Sequence, residues 1–366
     1  MGLKSNSTRT RFRQNTTIRL HSAAHGRDNN FNLIRFCAAN AVLISHAWPI
    51  SLGPHSIEPL ESTTGHTMGE LAVYVFFALS GFLIAGSFER SRSPADFILA
   101  RMGRLFPGLA ASLVFVAFTL GPLVTTLPAL DYLSDPNTFS FLARNVTLIA
   151  PQYTLPGVFT DLPYPTVEGS IWTLAHEVAC YFGLFILGLT GVLSSRVSFG
   201  TVLIFYACLA ALPFDWPPRL IQLQTLSFPF LVGTIFWVWR GQITLSVPVM
   251  LVLVAIAWLS HETRLAFPTL ILALSYTVFW LGYAPSGAAK SFNRFGDYSY
   301  GIYIYAFPMQ GLAIWLWGPM GPLLNIALSL PMVLLCAVAS WHWIERPALD
   351  YVRAGAFQRP VRRAWR

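Results

Sequence analysis

Long apolar stretches recur along nearly the whole chain and are separated by short polar segments. A membrane-spanning helix needs about 20 mostly apolar residues to cross roughly 30 Å of hydrocarbon. The apolar stretches therefore predict an all-α fold, a polytopic transmembrane helix bundle of about ten spans. The predicted spans are residues 31–50, 69–88, 108–128, 170–193, 198–213, 223–240, 244–261, 265–283, 298–317 and 322–344. Residues 143–150 could form a short re-entrant piece.

The composition agrees with a membrane protein. Of the 366 residues, 54% are hydrophobic and only 11% are charged, whereas a water-soluble domain carries roughly a quarter charged residues. No polar block between the apolar stretches is large enough to fold separately. We therefore predict one transmembrane domain over residues 31–345, with a basic N-terminal tail over 1–30 and a basic C-terminal tail over 346–366.

The distribution of the basic residues predicts the orientation of the chain. Loops on the cytoplasmic side of a membrane are enriched in Lys and Arg. With ten spans, most basic residues share one side with both termini, and only Arg144, Arg219 and Arg264 lie opposite. Both termini are then cytoplasmic. The net charge of +8 does not indicate nucleic acid as a partner, because the basic segments lack the interleaved aromatic residues of a strand-binding surface.

The cysteines do not indicate a metal site. Cys37, Cys180, Cys208 and Cys336 lie inside apolar stretches, without the close pairs that metal sites use. We interpret them as packing residues and expect no metal.

Two polar residues of the first span, Arg35 and His46, are candidates for chemistry. A central arginine costs about 2.5–3.5 kcal/mol on insertion scales, so its presence requires a compensating role. The separation of eleven positions is within about 20° of three helical turns, so both side chains project from one face, about 16 Å apart along the axis. Arg35 is then nearer the cytoplasm and His46 nearer the outer side. Alternatively, each side chain snorkels to its own headgroup layer.

A second polar site begins the fourth span. By the predicted topology, Glu177 lies in the same outer half of the membrane as His46. A carboxylate beside an imidazole fixes its tautomer and stabilises the imidazolium, which general-base catalysis requires. The alternative is an interfacial Glu177 that pairs with His176 or a loop cation. Trp172 fits an interfacial aromatic belt.

A pair of arginines precedes the third span. Arg101 and Arg104 lie at positions i and i+3 of a predicted amphipathic helix, so both guanidinium groups can converge on one anion. Such a pair can bind the phosphates of a nucleotide-like cofactor. The alternative ligand is an anionic lipid headgroup.

These segments, in this order, resemble the bacterial acyltransferase 3 family of membrane O-acyltransferases over about residues 31–348. One departure is Glu168, where many members carry Asn before the Gly-Ser pair, which leaves acceptor recognition open. The segments that carry the resemblance are Arg35 with His46, FFALSGFLI at 76–84, Arg101 with Arg104, GSIWTLAHEV at 169–178, DYSYGIYIYAFPMQ at 297–310 and SWHWIERPAL at 340–349.

The resemblance implies an enzyme of the bacterial inner membrane. Its donor would be acetyl-CoA or another acyl-CoA from the cytoplasm, and its acceptor a hydroxyl of a glycan or lipid-linked glycan, with membrane lipid as a further partner. The implied catalytic residues are His46, Arg35 and Glu177. The implied donor-binding residues are Arg101, Arg104 and Ser80, and the implied acceptor-binding residues are Trp172 and Tyr303.

Two other classes of protein fit the hydrophobic pattern. A secondary transporter also has about ten spans with charged residues inside the membrane, but the two halves of this chain show no matching interrupted spans. A non-catalytic scaffold for glycan assembly would tolerate replacement of both Arg35 and His46. An acyl-CoA-dependent product distinguishes an acyltransferase from both.

Overall fold

The computed structural model describes residues 17–24, 26, 28–212, 214–284 and 288–357, and these residues are mainly helical. The helices are α1 Leu20–Ala24, α2 Phe31–Leu52, α3 Pro59–Thr64, α4 Met68–Arg90, α5 Pro94–Phe115, α6 Gly121–Val124, α7 Ala129–Ser134, α8 Pro136–Thr147, α9 Trp172–Leu189, α10 Arg196–Ala211, α11 Pro218–Val238, α12 Val247–Leu259, α13 Ala266–Tyr283, α14 Ala288–Ser291, α15 Ser299–Trp317, α16 Pro322–Ser340 and α17 Arg346–Phe357. Short 3₁₀ turns cover Val192–Ser194 and Phe292–Arg294, and π-helical turns cover Val116–Leu120 and Trp341–Glu345.

The helices confirm a polytopic membrane bundle. Within the described residues, 7 helices are long and apolar enough to cross a membrane. Three predicted spans correspond to helices outside that set. Helices α10 and α12 have 16 and 13 residues, and α15 carries Tyr300, Tyr303, Tyr305 and Gln310, which lower its hydropathy. The total of ten spans and the sides of the two termini remain predictions.

The third span begins earlier than the hydropathy pattern indicates. One continuous helix runs over Pro94–Val124, where the sequence predicted residues 108–128. Its start is fixed by Ser93, whose hydroxyl accepts a hydrogen bond from the Asp96 backbone N–H, as helix N-caps do. Arg101 and Arg104 lower the hydropathy of this part but do not interrupt the helix. Both arginines therefore belong to the spanning helix itself.

The segments predicted outside the spans are partly structured. Residues 1–16, 25 and 27 of the N-terminal tail and residues 358–366 of the C-terminal tail lie outside the described residues. Strand β1, Thr17–Arg19, pairs antiparallel with strand β2, Thr244–Ser246, which precedes α12. The proposed re-entrant piece begins within α8, and α8 packs against α5.

Helices α4 and α11 approach each other until their backbones touch. A Cβ added to Gly81 would lie 1.9 Å from the Phe230 carbonyl oxygen, and one added to Gly233 would lie 2.0 Å from the Ala78 carbonyl oxygen. Small residues allow such close contact between membrane helices. Helix α4 also packs against α2, and α2 packs against α15. The close contact with α11 therefore fixes the position of α4, the helix next to the polar residues of the first span.

Replacement of Gly81 by Ala tests this packing. The added methyl group cannot fit beside the Phe230 carbonyl, so we expect a loss of at least about 2 kcal/mol of folding free energy, measured as a lower melting temperature of the purified protein. Gly200→Ala is the matched control, since a Cβ at this helical glycine meets no atom within 4 Å. The control should be neutral or stabilising by up to about 1 kcal/mol. Equal melting temperatures for the two variants would contradict the packing.

Candidate active site

Helix α2 presents Arg35 and His46 to the same neighbouring element. Arg35 Nη1 donates a hydrogen bond of 3.0 Å to Asp297, just before α15. The His46 ring packs edge-on against Phe307 of α15, with 5.3 Å between the ring centroids. Both side chains therefore face the bundle interior on one side of α2, as their spacing predicts. The end of the bundle that contains Arg35 is called here the basic end, and the end that contains His46 is called the far end.

Asp297 joins two arginines from different helices. Its Oδ2 accepts hydrogen bonds from Arg35 and from Arg104 Nη2, the latter at 2.7 Å, while Oδ1 accepts one of 2.5 Å from Ser299. Burial alone would raise the pKa of Asp297, but Arg104 and Arg35 outweigh burial and bring it below the ordinary 3.8. The carboxylate is therefore charged. Arg35 therefore has a carboxylate partner in this structure.

Glu345 extends this ion-pair cluster. It lies in the π-helical turn after α16 and is 3.5 Å from Arg104 Nη1, and it also accepts a hydrogen bond of 2.9 Å from Ser340. Two carboxylates and two guanidinium groups from α2, α5, the start of α15 and the end of α16 thus form one network, called here the Asp297 clamp. Buried ions need such partners, because an isolated charge loses its hydration on burial.

Arg101 is left outside the clamp. No described residue forms an ion pair or hydrogen bond with it, and its Nε is buried without a partner. It lines two adjoining cavities, and its guanidinium group is therefore available to an anion. A cofactor phosphate and an anionic lipid headgroup are both anions that this group can bind.

The two cavities share Arg35, Leu83, Arg101 and Arg104 in their walls. The larger, about 1030 Å³, lies at the basic end and is also lined by Arg90, Arg240 and Arg353. The smaller, about 100 Å³, extends between the helices and is called here the internal cavity. Its further lining includes Ser80, Thr173, Glu177, Tyr181 and Tyr303. Together they form a polar route from the basic end into the apolar bundle.

Glu177 lies in the internal cavity, where its partners differ from the predicted one. It accepts hydrogen bonds from Ser80, at 3.3 Å, and from Tyr181. Helix α9 packs against α4 and α11, so Glu177 faces α4. No hydrogen bond joins Glu177 to His46 among the described residues. The predicted pairing of Glu177 with His46 is therefore not formed in this structure. The alternative partner, His176, is hydrogen-bonded to the Trp172 carbonyl at 2.9 Å.

Tyr303 forms part of the wall of the internal cavity, which His46 does not line. Its hydroxyl donates a hydrogen bond of 3.0 Å to the Ser170 carbonyl and also contacts the Thr173 hydroxyl. Phe307, which touches His46, follows one helical turn later on α15. The Phe307 backbone lies about 6 Å further along the α15 axis than the Tyr303 backbone, and the His46 ring contacts Phe307. Trp172 begins α9 beside Ser170 and packs on His176, with 5.6 Å between the rings.

Comparison with known proteins identifies this arrangement. A family model described as an acyltransferase domain matches residues 28–342. The chain belongs to the acyltransferase 3 family. An O-acetyl transferase of Shigella phage Sf6 is 28% identical over 338 residues, covering 87% of this chain and 96% of the relative. Nodulation protein 10 of Rhizobium leguminosarum bv. viciae is 28% identical over 376 aligned positions, covering 90% of this chain and 95% of the relative. No solved structure matches the chain.

The protein is therefore a multi-pass membrane acyltransferase, and the transporter and scaffold alternatives are set aside. Among the described residues, no group of three or more His, Cys, Asp or Glu side chains is arranged to hold a metal ion. The candidate substrate-contacting residues of the acyltransferase are Arg101, the polar lining of the internal cavity, and His46.

Three acidic residues of the acyltransferase were not assigned a role from sequence. Asp297 and Glu345 lie in segments that carry the family resemblance, and Glu168 was noted only as a departure. Partners for the arginines could have been sought at Asp297 and Glu345, because arginines within spans require counterions and both acids lie near predicted span ends on the same side of the membrane. Nothing in the sequence pattern showed that Glu168 would be 0% exposed.

Arg104→Ala tests the Asp297 clamp. The variant leaves Asp297 and Glu345 without their shared guanidinium group, so we expect a loss of about 3 kcal/mol of folding free energy, measured by thermal unfolding in detergent. Lys290→Ala is the control, because its partner Asp28 is 74% exposed and a surface pair contributes at most about 1 kcal/mol. A clamp variant as stable as the control would show that the network does not hold the helices.

Proposed function

We propose that this acyltransferase moves an acetyl group from acetyl-CoA, bound from the cytoplasm, to a hydroxyl group of a cell-surface or secreted glycan, in the bacterial inner membrane. The observation that carries the proposal is the Arg101 guanidinium, which has no ion-pair partner among the described residues and lies in the walls of two cavities that share Arg35, Leu83 and Arg104. The names of the relatives support acetyl as the acyl group, since one is an O-acetyl transferase.

The basic-end cavity fits the anionic part of the donor. Guanidinium groups bind phosphate oxygens by paired, charge-assisted hydrogen bonds. Asp297 already neutralises part of the charge of Arg35 and Arg104, so Arg101 is the best available ligand of the three for a phosphate. The wall of this cavity carries seven arginines against three acidic side chains, Glu89, Asp297 and Asp350, so its formal net charge is positive. Positive-inside topology gives this end to the cytoplasm, where acyl-CoA is found.

The internal cavity fits the reactive part of the donor. A pantetheine arm is long enough to carry a thioester from the basic end into the bundle. The cavity offers hydroxyl groups from Ser80, Tyr181 and Tyr303 and a carboxyl group from Glu177, which can hold the amide groups of that arm. Tyr303 lies in the wall of this cavity, and Phe307, one turn further along α15, contacts His46, so we expect the thioester to approach His46 past the Tyr303 side chain.

His46 is the proposed general base. It removes the proton of the acceptor hydroxyl, whose oxygen then attacks the thioester carbonyl. The new C–O bond forms, the C–S bond breaks, and the proton passes from His46 to the leaving thiolate to give free CoA. His46 is partly exposed while its Nδ1 is buried, which leaves Nε2 as the nitrogen directed at the substrate.

The far end of the bundle is the proposed acceptor entrance. His46, Trp172 and the segment before α9 lie there, on the side that the topology assigns to the cell exterior. An aromatic ring such as Trp172 can flank a sugar ring, whose C–H groups form an apolar face. The donor and acceptor would thus approach from opposite ends of the bundle, with a lipid-linked or polymeric glycan never entering the cytoplasm.

Arg101→Ala tests the donor site. Loss of the unpaired guanidinium should raise the KM for acetyl-CoA by about tenfold or more, as removal of one charge-assisted contact worth about 1.5–3 kcal/mol predicts, with little change in melting temperature. The assay is acetyl transfer by purified protein in proteoliposomes. Arg196→Ala, which removes an arginine from a different cavity, is the control and should keep the wild-type KM. An unchanged KM for Arg101→Ala would remove the donor-site assignment.

His46→Ala tests the reaction itself. Mass spectrometry of surface and secreted glycans should show one acetyl unit fewer in cells that lack the gene, and wild-type protein should restore it. The His46→Ala protein, present at normal level, should not, since general-base catalysis supplies about 10²–10⁴ in rate. His261→Ala, an exposed histidine far from α2 in the sequence, should restore acetylation fully. Full acetylation by His46→Ala would end the general-base assignment.

A further inference from the structure

A buried carboxyl group at the far end of the bundle has no side-chain partner among the described residues. Glu168 lies four residues before α9 and is 0% exposed. Neither of its carboxyl oxygens accepts a hydrogen bond of normal geometry from a described residue. A buried carboxyl without hydrogen bonds lowers the stability of a fold. Such a group is therefore expected to have a use that offsets this loss.

Glu168 and His46 are connected through one aromatic ring. Gly169 packs directly on Phe307, since a Cβ added to Gly169 would lie 2.4 Å from Phe307 Cε2. The same ring also contacts His46, at 5.3 Å between centroids, and Tyr164, at 5.7 Å. The buried Nδ1 of His46 lacks a hydrogen-bond partner among the described residues. Glu168 is thus linked through its neighbour Gly169 to the ring that contacts His46, and both residues carry buried polar atoms without a hydrogen bond, a carboxyl and an imidazole nitrogen.

Among the described residues, no cationic side chain forms an ion pair with Glu168. The titratable side chains whose charge it influences are Tyr303 and Tyr305 on α15. Burial raises the pKa of Glu168 well above its ordinary value of 4.5, although the backbone N–H of Ser170 opposes the rise. A neighbouring imidazolium would favour the ionised form. The carboxyl group is therefore suited to stabilise a positive charge that forms only during the reaction.

We propose that Glu168 is the carboxylate that pairs with His46 during acyl transfer. It accepts a hydrogen bond from His46 Nδ1–H, which leaves Nε2 free to take the proton of the acceptor hydroxyl, and it stabilises the imidazolium that results. When the proton moves on to the thiolate of CoA, His46 returns to its neutral form, and its Nδ1–H stays hydrogen-bonded to Glu168. Glu168 is thus a positioning residue. The proposal rests on the general-base function proposed for His46.

Glu168→Gln is the decisive variant, because it keeps the size of the side chain and removes its charge. We expect kcat to fall by about 100-fold or more, within the range that general-base catalysis supplies, while the KM for acetyl-CoA stays at the wild-type value. The melting temperature should be unchanged or higher, since an unpaired buried carboxyl is lost. Glu168→Asp should keep more activity than Glu168→Gln, and the acid limb of the pH–rate profile should shift in the Gln variant.

The control for this experiment is Glu58→Gln. Glu58 is also a buried carboxylate near the far end, at 4% exposure, but it is already bonded to the Met68 backbone N–H and caps α3. Its replacement should lower the melting temperature and leave kcat of the folded enzyme unchanged. The contrast separates loss of a helix cap from loss of a charge needed in the reaction.

Three results would overturn the proposal. Wild-type kcat in Glu168→Gln, together with an inactive His46→Ala, would show that His46 works without this carboxylate. A higher KM for the acceptor with unchanged kcat would assign Glu168 to acceptor binding instead. Absence of acetyl transfer by the wild-type protein itself would overturn the proposed function, and this inference with it.

Discussion

A guanidinium group inside a membrane bundle must be neutralised, and the arrangement at the basic end follows from this requirement. Asp297 is shared by Arg35 and Arg104, and Glu345 supplies a second carboxylate to Arg104. These contacts tie α2, α5, the start of α15 and the end of α16 together. Because the carboxylates are committed to two arginines, the third, Arg101, remains available between the two cavities.

The same arrangement separates the two ends of the proposed reaction. Arg35, Arg101 and Arg104 lie where the two cavities adjoin, while hydroxyl groups and Glu177 supply the other polar groups of the internal cavity. This arrangement suits a transfer in which donor and acceptor come from opposite sides of a membrane.

Hydropathy and spacing predicted the helical bundle and the common face of Arg35 and His46, because both properties depend on neighbours along the chain. The ion-pair partners could not be predicted in this way, since Arg35 and Asp297 are 262 positions apart. The direction of Glu177 was also undetermined, because α9 is apolar on most sides and its pattern does not fix its rotation. Packing of α9 on α4 turns Glu177 toward Ser80, and Glu168 emerges as the unpaired acid near His46.

The most direct test of this account is a cryo-electron microscopy structure of the protein in lipid nanodiscs with CoA bound. The account predicts CoA phosphate density within hydrogen-bonding distance of the Arg101 guanidinium, an intact contact between Asp297 and both of its arginines, and the thiol end of the pantetheine arm in the internal cavity beside Tyr303. Phosphate density away from Arg101, or a pantetheine arm that runs outside the internal cavity, would contradict it.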